Sequence, residues 1–167
     1  MAVEGRVWKF GEDVSTDVIF PGKYVYTLQS PQDMAAHAME GINPQFSSEV
    51  QENDIMVAGK NFGCGSSREQ AATCLKYANV GAVVAKSFGR IFFRNAINMG
   101  LPLVQCPEAV DVIEDGEKIH VDYVKGILSC KAGTYEFQPT PDFVLDIMRD
   151  GGLIPHTKKK FRKGNAG

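Results

Sequence analysis

The residue types that could do chemistry are concentrated in one short segment, residues 59–69, which reads GKNFGCGSSRE. Its three glycines allow the backbone to approach a ligand closely, and Arg68 offers a planar, doubly donating group that suits a carboxylate. Two hydroxyls, on Ser66 and Ser67, precede that arginine. Where such a loop leads into a helix, the free N–H groups of the first turn and the helix dipole favour negative charge. The segment therefore predicts an anion site.

The spacing of the same segment is also compatible with a purely structural role. Ser66 and Glu69 have the S-x-x-E spacing of a capping box, in which two side chains satisfy the free N–H groups at the start of a helix. A nucleotide-binding loop does not fit, because the segment has no G-x-x-x-x-G-K-[ST] run and no third glycine at the dinucleotide spacing after Gly63 and Gly65. The residue types thus leave an anion site and a helix cap as alternatives.

This loop lies within an alternation of strand and helix patterns. Residues 55–59 and 80–85 are apolar runs typical of buried strands, whereas residues 67–78 and 88–99 have apolar positions at helical spacing. A further apolar run, residues 101–104, follows the second helix. Strands that alternate with helices predict an α/β fold in which a parallel sheet is covered by helices.

The two ends of the chain have other patterns. Near the N-terminus, residues 7–10 predict a strand that leads into a long loop with a turn at Pro21 and Gly22, and residues 31–39 predict a short helix. Near the C-terminus, residues 142–149 predict a final helix. Before it lie three short runs that predict antiparallel strands, at residues 118–124, 126–130 and 135–137.

The composition of the 167-residue chain narrows the class of partner. A net charge of -2 argues against nucleic acid, which calls for a concentrated basic face, and no apolar run approaches the ~20 residues of a membrane span. The basic run at residues 158–163 predicts a flexible tail over residues 158–167, behind a single domain of residues 1–157. Because the N-terminus lacks an apolar leader, we expect a cytoplasmic protein.

The metal-binding residue types are scattered. No two cysteines form a C-x-x-C pair, so the set fits neither a zinc site nor an iron-sulfur ligand set, and we expect free thiols and no metal bound to this chain. The four cysteines are Cys64, Cys74, Cys106 and Cys130, and the three histidines are His37, His120 and His156.

Three segments of the chain, taken in order, resemble the signature of the aconitase swivelling-domain family. Residues 59–69 are similar to the central family segment, residues 87–98 (SFGRIFFRNAIN) to a second one, and residues 15–22 (STDVIFPG) to the N-terminal one. Gly89 stands where alanine is usual in the family. The resemblance implies a three-layer β/β/α swivelling domain with a mixed sheet, which agrees with the α/β alternation and the antiparallel end.

The resemblance also implies roles for individual residues. In the family, the first serine of the Ser-Ser-Arg run removes a proton from the substrate carbon and the arginine holds a substrate carboxylate. These roles fall on Ser66 and Arg68, with Ser67 as a supporting donor. Residues expected to support the loop are Asp17, Asn61, Gly63 and Gly65. The implied activity is that of a hydro-lyase, acting on a small hydroxy-dicarboxylate.

A partner protein is implied in the same way. The family uses a [4Fe-4S] cluster whose unshared iron takes the substrate hydroxyl and carboxylate as a Lewis acid. Three cysteines of a large domain hold that cluster, and nothing in this sequence matches them. We therefore expect an iron-sulfur large subunit as the partner, and no activity without it.

One departure from the family concerns the substrate. Homoaconitase-type members have Tyr-Leu-Arg-Thr after the Pro-Gly turn, whereas residues 24–27 read YVYT and place Tyr26 at the arginine position. Tyrosine cannot clamp a carboxylate bidentately, so Tyr26 favours a less charged substrate end, unless it merely packs under the loop. We expect interconversion of 2- and 3-isopropylmalate in leucine biosynthesis. The alternatives are homoaconitate, citraconate/methylmalate or dimethylmalate hydration, and a non-catalytic anion-binding module.

Overall fold

The computed structural model describes residues 1–166, which fold around a mixed seven-stranded sheet. The strands are β1 (Ala2–Lys9), β2 (Ile55–Ala58), β3 (Ala82–Ala85), β4 (Leu103–Gln105), β5 (Lys118–Asp122), β6 (Ile127–Cys130) and β7 (Gly133–Glu136). They lie in the order β4-β3-β2-β1-β5-β6-β7. The half from β4 to β1 is parallel, and β5, β6 and β7 continue it with antiparallel pairing.

Helices connect and cover these strands. They are α1 (Thr16–Ile19), α2 (Pro31–Ala35), α3 (Phe46–Glu49), α4 (Glu69–Tyr77), α5 (Arg90–Met99), α6 (Pro107–Val112), α7 (Asp142–Arg149) and α8 (Leu153–Gly164). A short 3-10 turn, Gly22–Tyr24, follows α1. The strand-helix alternation that the sequence predicts is therefore present from β2 to β4.

The parallel half of the sheet is buried on both faces. Every residue of β2 and β3 is buried, which explains why they read as continuous apolar runs. One face packs against α4 and α5 through Leu75 and Phe92. The other face shares a core with the antiparallel strands and α7, through Val121, Leu128 and Leu145. The predicted three-layer β/β/α arrangement with a mixed sheet is confirmed.

The C-terminal segment differs from its prediction. The sequence predicts a flexible tail from residue 158, whereas residues 158–164 continue α8, so the predicted boundary at residue 157 falls inside a helix. The Asp150 carboxylate holds the start of α8 by contacts to His156 and Lys159. Because every residue of α8 is at least partly exposed, no apolar stripe marks the helix in the sequence. Gly167, the last residue of that tail, lies outside the described residues.

Candidate active site

Three loops that are remote in sequence meet at the carboxyl ends of β1, β2 and β3. Isolated bridges join Ser15 to Cys64 and Phe62 to Phe88. The N–H of Thr16 donates to the Cys64 carbonyl at 2.8 Å, and the N–H of Gly89 donates to the Phe62 carbonyl at 2.8 Å. The three sequence segments singled out above are therefore neighbours, at the edge of a parallel sheet where ligands commonly bind.

The glycine-rich loop is shaped by close backbone packing. Gly63 has φ +80°, and a Cβ atom there would lie 2.2 Å from Cγ of Phe92, so the loop can pass over α5 only as glycine. Asn61, at φ +58°, donates from its side chain to Asp13 at 3.0 Å. Gly63 is thus buried against α5, whereas Asn61 is exposed and contacts the loop after β1 through Asp13.

Arg68 is held in a fixed orientation. Its Nη1 donates to Oδ1 of Asp17 at 2.8 Å and to the carbonyl of Phe20 at 2.9 Å, and its side chain is 17% exposed. Asp17 also accepts from the N–H of Gly22 at 3.1 Å. The hydrogen bond from Arg68, with that from Gly22, lowers the pKa of Asp17 below its ordinary value. Asp17 thus stays ionised and anchors the guanidinium.

The capping-box alternative for Ser66 is wrong. Helix α4 begins at Glu69 with Arg68 as its N-cap, and within residues 1–166 no side chain accepts a capping hydrogen bond there. Ser66 lies three residues before the first residue of α4 and is exposed. Its Oγ lies 3.5 Å from Oγ1 of Thr16. The serine hydroxyl is therefore free for a ligand, as are the N–H groups that open α4.

An open cleft of about 490 Å³ brings these groups together. It is lined by Gly22, Val25, Tyr26, Ser66, Ser67, Arg68, Glu69, Gln70 and Asn95. Four residues of the site prediction, Ser66, Ser67, Arg68 and Tyr26, are thus on one surface. Asn95 comes from α5, inside the second family segment, where no residue was singled out.

Tyr24 and Tyr26 have different surroundings. Tyr24 stacks on His37, with ring centroids 4.0 Å apart, and donates to Glu40 at 2.7 Å. Tyr26 is 91% exposed and faces the cleft. Tyr24 is therefore a packing residue, whereas the packing alternative is wrong for Tyr26.

The charge of the cleft is mixed. Of the described residues that line it, Arg68 alone is cationic, and Glu69 is anionic. Asp17 neutralises part of the arginine charge from behind. The cleft can hold one carboxylate at the remaining guanidinium donors and the first-turn amides of α4, but it offers little further positive charge.

The donor set does not fit a metal centre. Within residues 1–166, no three His, Cys, Asp or Glu side chains are placed together to hold a metal ion. The four cysteines are separate free thiols, and burial raises the pKa of Cys74 well above its ordinary value. An iron-sulfur cluster thus has no ligand set in the described part of this chain.

Over residues 1–166, no helix is both long and apolar enough to cross a bilayer.

Comparisons with known proteins agree on one family. Residues 15–108 match the family model described as the aconitase C-terminal domain. The 3-isopropylmalate dehydratase small subunit of Aquifex aeolicus is 52% identical over 164 residues, covering 96% of this chain and 97% of that protein. The methanogen homoaconitase small subunit of Methanothermobacter thermautotrophicus is 48% identical over 167 residues, covering 99% and 96%.

A solved structure is similar over its full length. The crystal structure of 3-isopropylmalate dehydratase from Methanocaldococcus jannaschii superposes with a TM-score of 0.91 at 42% identity, covering 100% of both chains. The 3-isopropylmalate dehydratase small subunit of Methanosarcina mazei is 50% identical over 159 residues, covering 94% of this chain and 97% of that protein.

Proposed function

The chain belongs to the family of the aconitase C-terminal domain, and from this premise we propose that it is the small subunit of a 3-isopropylmalate dehydratase. In this role it takes part in the interconversion of 2- and 3-isopropylmalate, by dehydration and rehydration, in leucine biosynthesis in the cytoplasm. The observation that carries the proposal is the cleft in which a fixed arginine, Arg68, stands beside an exposed serine, Ser66.

Substrate binding is assigned to the arginine and the start of α4. Nη1 of Arg68 is occupied by Asp17 and Phe20, which leaves Nη2 for a substrate carboxylate. The N–H groups of Glu69 and Gln70 open the helix beside it. A carboxylate between these donors gains charge-assisted hydrogen bonds, and the held guanidinium loses little freedom when it binds.

Proton transfer is assigned to Ser66, whose Oγ takes the proton from the substrate carbon. A serine hydroxyl is a weak base near neutral pH, and a helix N-terminus supplies at most about 2 kcal/mol toward its ionised form. Ser66 lies three residues before the first residue of α4, so it receives less than this. The cleft has no further cation among its described lining residues to make up the difference.

The missing positive charge supports a partner subunit. We propose that an iron-sulfur large subunit closes the open side of the cleft and holds the [4Fe-4S] cluster, because residues 1–166 of this chain do not form a cluster site. The relatives are named as small subunits, which supports the same division of the enzyme into a small and a large subunit. This chain then contributes the carboxylate clamp and the base.

A homoaconitase-type small subunit is the second candidate, because a relative of that name is 48% identical. Identity therefore does not separate the two activities. Tyr26 favours isopropylmalate, since its exposed hydroxyl can donate one hydrogen bond but cannot pair with an additional carboxylate. An isopropyl group in place of that additional carboxylate needs no charged partner.

Reconstitution tests the proposal. The chain is purified alone and with the large subunit of its own organism, and both samples are assayed on isopropylmalate, homoaconitate, citraconate and dimethylmalate. We expect activity on isopropylmalate only in the complex, and a colourless, iron-free chain by itself. Stoichiometric iron-sulfur absorbance in the lone chain, or greater kcat/KM on another acid, would contradict the proposal.

A Ser66→Ala variant tests the base. We expect turnover of the complex to fall by orders of magnitude, with folding changed by less than about 0.5 kcal/mol because the residue is exposed and caps no helix. Ser48→Ala, at an exposed serine outside the residues that line the cleft, is the matched control and should retain the turnover. A loss of less than about tenfold in Ser66→Ala would remove the serine from this role.

A further inference from the structure

Thr16 is buried directly behind Ser66, although the two residues are 50 positions apart in sequence. Only 2% of Thr16 is exposed. Its Oγ1 donates to the backbone carbonyl of Ser66 at 3.0 Å and lies 3.5 Å from Oγ of the same serine. A single threonine hydroxyl therefore contacts both the main chain and the side chain of Ser66.

Two further contacts hold the start of α1 against the glycine-rich loop. The N–H of Thr16, the first residue of α1, donates to the Cys64 carbonyl at 2.8 Å. Between Cys64 and Ser66, Gly65 has φ +100°, and a Cβ atom there would lie 3.5 Å from Oγ1 of Thr16. The glycine conformation turns the chain so that Ser66 presents both its carbonyl and its hydroxyl to Thr16.

We propose that Thr16 is a positioning residue for Ser66, whose hydroxyl donates to the Ser66 carbonyl at rest and to the ionised Ser66 Oγ during proton transfer. The step rests on the proposed function, in which Ser66 is the base. A hydroxyl has one proton and two lone pairs. While Ser66 is protonated, the Thr16 hydroxyl donates its hydrogen bond to the Ser66 carbonyl. The Ser66 hydroxyl can then itself donate to Oγ1 of Thr16.

When Ser66 is ionised, Thr16 becomes the donor in the hydrogen bond between the two side chains. After Ser66 has released its proton to solvent, only Thr16 can donate between the two hydroxyls, and rotation about its Cβ–Oγ1 bond turns its proton from the carbonyl to the charged oxygen. When Ser66 takes the proton from the substrate carbon, Thr16 turns back. The proton that Ser66 gave to solvent balances the hydroxide that leaves the substrate, and the two together are the water that dehydration releases. Hydrogen bonds to charged groups are stronger than those between neutral groups. This one bond therefore both stabilises the ionised serine and orients its Oγ.

Two variants separate the hydroxyl from its packing. Thr16→Val keeps the shape and removes the hydroxyl, whereas Thr16→Ser keeps the hydroxyl and removes the methyl group. In the two-subunit enzyme we expect Thr16→Val to lower kcat roughly tenfold, with KM within about twofold because Arg68 is untouched. The rising limb of its kcat–pH profile should move to higher pH, since the ionised serine has lost a donor. Thr16→Ser should restore both kcat and the profile.

A matched control and a double variant test whether Thr16 acts through Ser66. Ser15→Ala removes the neighbouring hydroxyl, which accepts from the N–H of Val18, and should leave kcat near that of the wild type. In a Ser66→Ala background, Thr16→Val should cause no further loss of residual turnover. If Thr16→Val does not fold, Thr16→Ala in both backgrounds supplies the same comparison.

The outcomes distinguish this proposal from the proposed function. If the wild-type complex is active and Ser66→Ala is not, but Thr16→Val keeps the wild-type kcat and pH profile, Thr16 has no part in the reaction. An equal loss in Thr16→Ser and Thr16→Val shows that the methyl group matters, and also overturns the proposal. If the wild-type complex dehydrates none of the tested acids, the proposed function itself has failed.

Discussion

Asp17 and Arg68 form an ion pair across 51 positions of sequence, with 2.8 Å between Oδ1 and Nη1. The pair joins α1 to the N-cap of α4, and it aligns the guanidinium while leaving Nη2 toward the cleft. An arginine held in this way is ready for a carboxylate before the substrate arrives. We therefore expect its partner acid to affect substrate binding without contacting the substrate.

Asp17→Asn should weaken that alignment, because a neutral amide keeps the shape but loses the charge-assisted hydrogen bond. In the two-subunit enzyme we expect KM for isopropylmalate to rise roughly tenfold while kcat changes by less than about threefold. Asp13→Asn is the control, since Asp13 lies in the loop just before α1, has φ 54° and accepts from Asn61. Equal effects in the two variants, measured by steady-state kinetics, would show that the pair has no special role.

Much of the environment of Arg68 could be predicted from the sequence, and the part that could not be predicted has a physical reason. The glycines, serines and arginine of residues 59–69 predicted an anion site, and four of the residues that line the cleft belong to that segment. The S-x-x-E spacing could not show where α4 begins, because spacing alone fits a start at residue 67 or 69. The first helical residue is Glu69, since Arg68 takes an extended backbone and extends toward Asp17.

Contacts between remote segments were beyond the sequence. Nothing in the residue types indicates that Thr16 contacts Ser66, or that Asn95 from α5 lines the same cleft. The strands of the parallel half were predictable because they are buried on both faces, as was the alternating β5. The short helices α3 and α6 were not, since four and six residues give no clear periodicity.

Gly22 lies beside the free side of the Arg68 guanidinium. A Cβ atom at Gly22 would lie 3.4 Å from Nη2 of Arg68 and 3.4 Å from Oδ1 of Asp17, which is tight contact without overlap. We expect Gly22→Ala to fold normally and to raise KM for isopropylmalate by roughly three- to tenfold, because the methyl group hinders a carboxylate from reaching Nη2 and can cost a charged hydrogen bond. Steady-state kinetics with the large subunit measure the effect.

Gly11→Ala is the matched control for that substitution. A Cβ atom at Gly11 meets no other atom within 4 Å, so the same loss of backbone freedom occurs away from the cleft. Its KM should equal that of the wild type. A wild-type KM in Gly22→Ala as well would show that the substrate does not approach Nη2 past Gly22.

A buried carboxylate near the other end of the sheet should make stability depend on pH. Asp54 is 3% exposed and accepts from Arg6 at 2.8 Å, Trp8 at 2.8 Å and the N–H of Gln51 at 2.9 Å. Burial alone would raise the pKa of Asp54, but these hydrogen bonds outweigh it and lower the pKa below its ordinary value. Asp54→Asn should therefore lower the free energy of unfolding at pH 7 by about 2 to 4 kcal/mol.

The sign of the pH effect follows from the direction of that pKa. The unfolded chain binds the proton more readily than the folded one, so the contribution of Asp54 is complete above about pH 4 and is lost as the pH falls through the folded pKa. Urea unfolding of wild type and Asp54→Asn from pH 7 to pH 3 should show the difference shrinking in acid. The exposed Asp33→Asn should change stability by less than about 0.5 kcal/mol throughout. A pH-independent difference would contradict the role of the charge.

We expect Tyr26 to contact the end of the substrate that differs between isopropylmalate and homoaconitate-type acids. It is 91% exposed, projects from the loop after the 3-10 turn and lines the cleft that contains Ser66 and Arg68. Tyr26→Arg would supply a group that can pair with an additional carboxylate. Because a charge-assisted hydrogen bond contributes about 1.5 to 3 kcal/mol, kcat/KM should shift roughly ten- to a hundredfold from isopropylmalate toward homoaconitate-type acids.

A general effect of added charge must be separated from recognition at this position. Thr27→Arg places the same charge one residue along the loop, at an exposed position outside the residues that line the cleft, and should change both substrates equally. The ratio of kcat/KM for the two acids is therefore the measured quantity in wild type, Tyr26→Arg and Thr27→Arg. If Tyr26→Arg alters that ratio no more than Thr27→Arg does, the loop attracts anions in general and Tyr26 does not select the substrate.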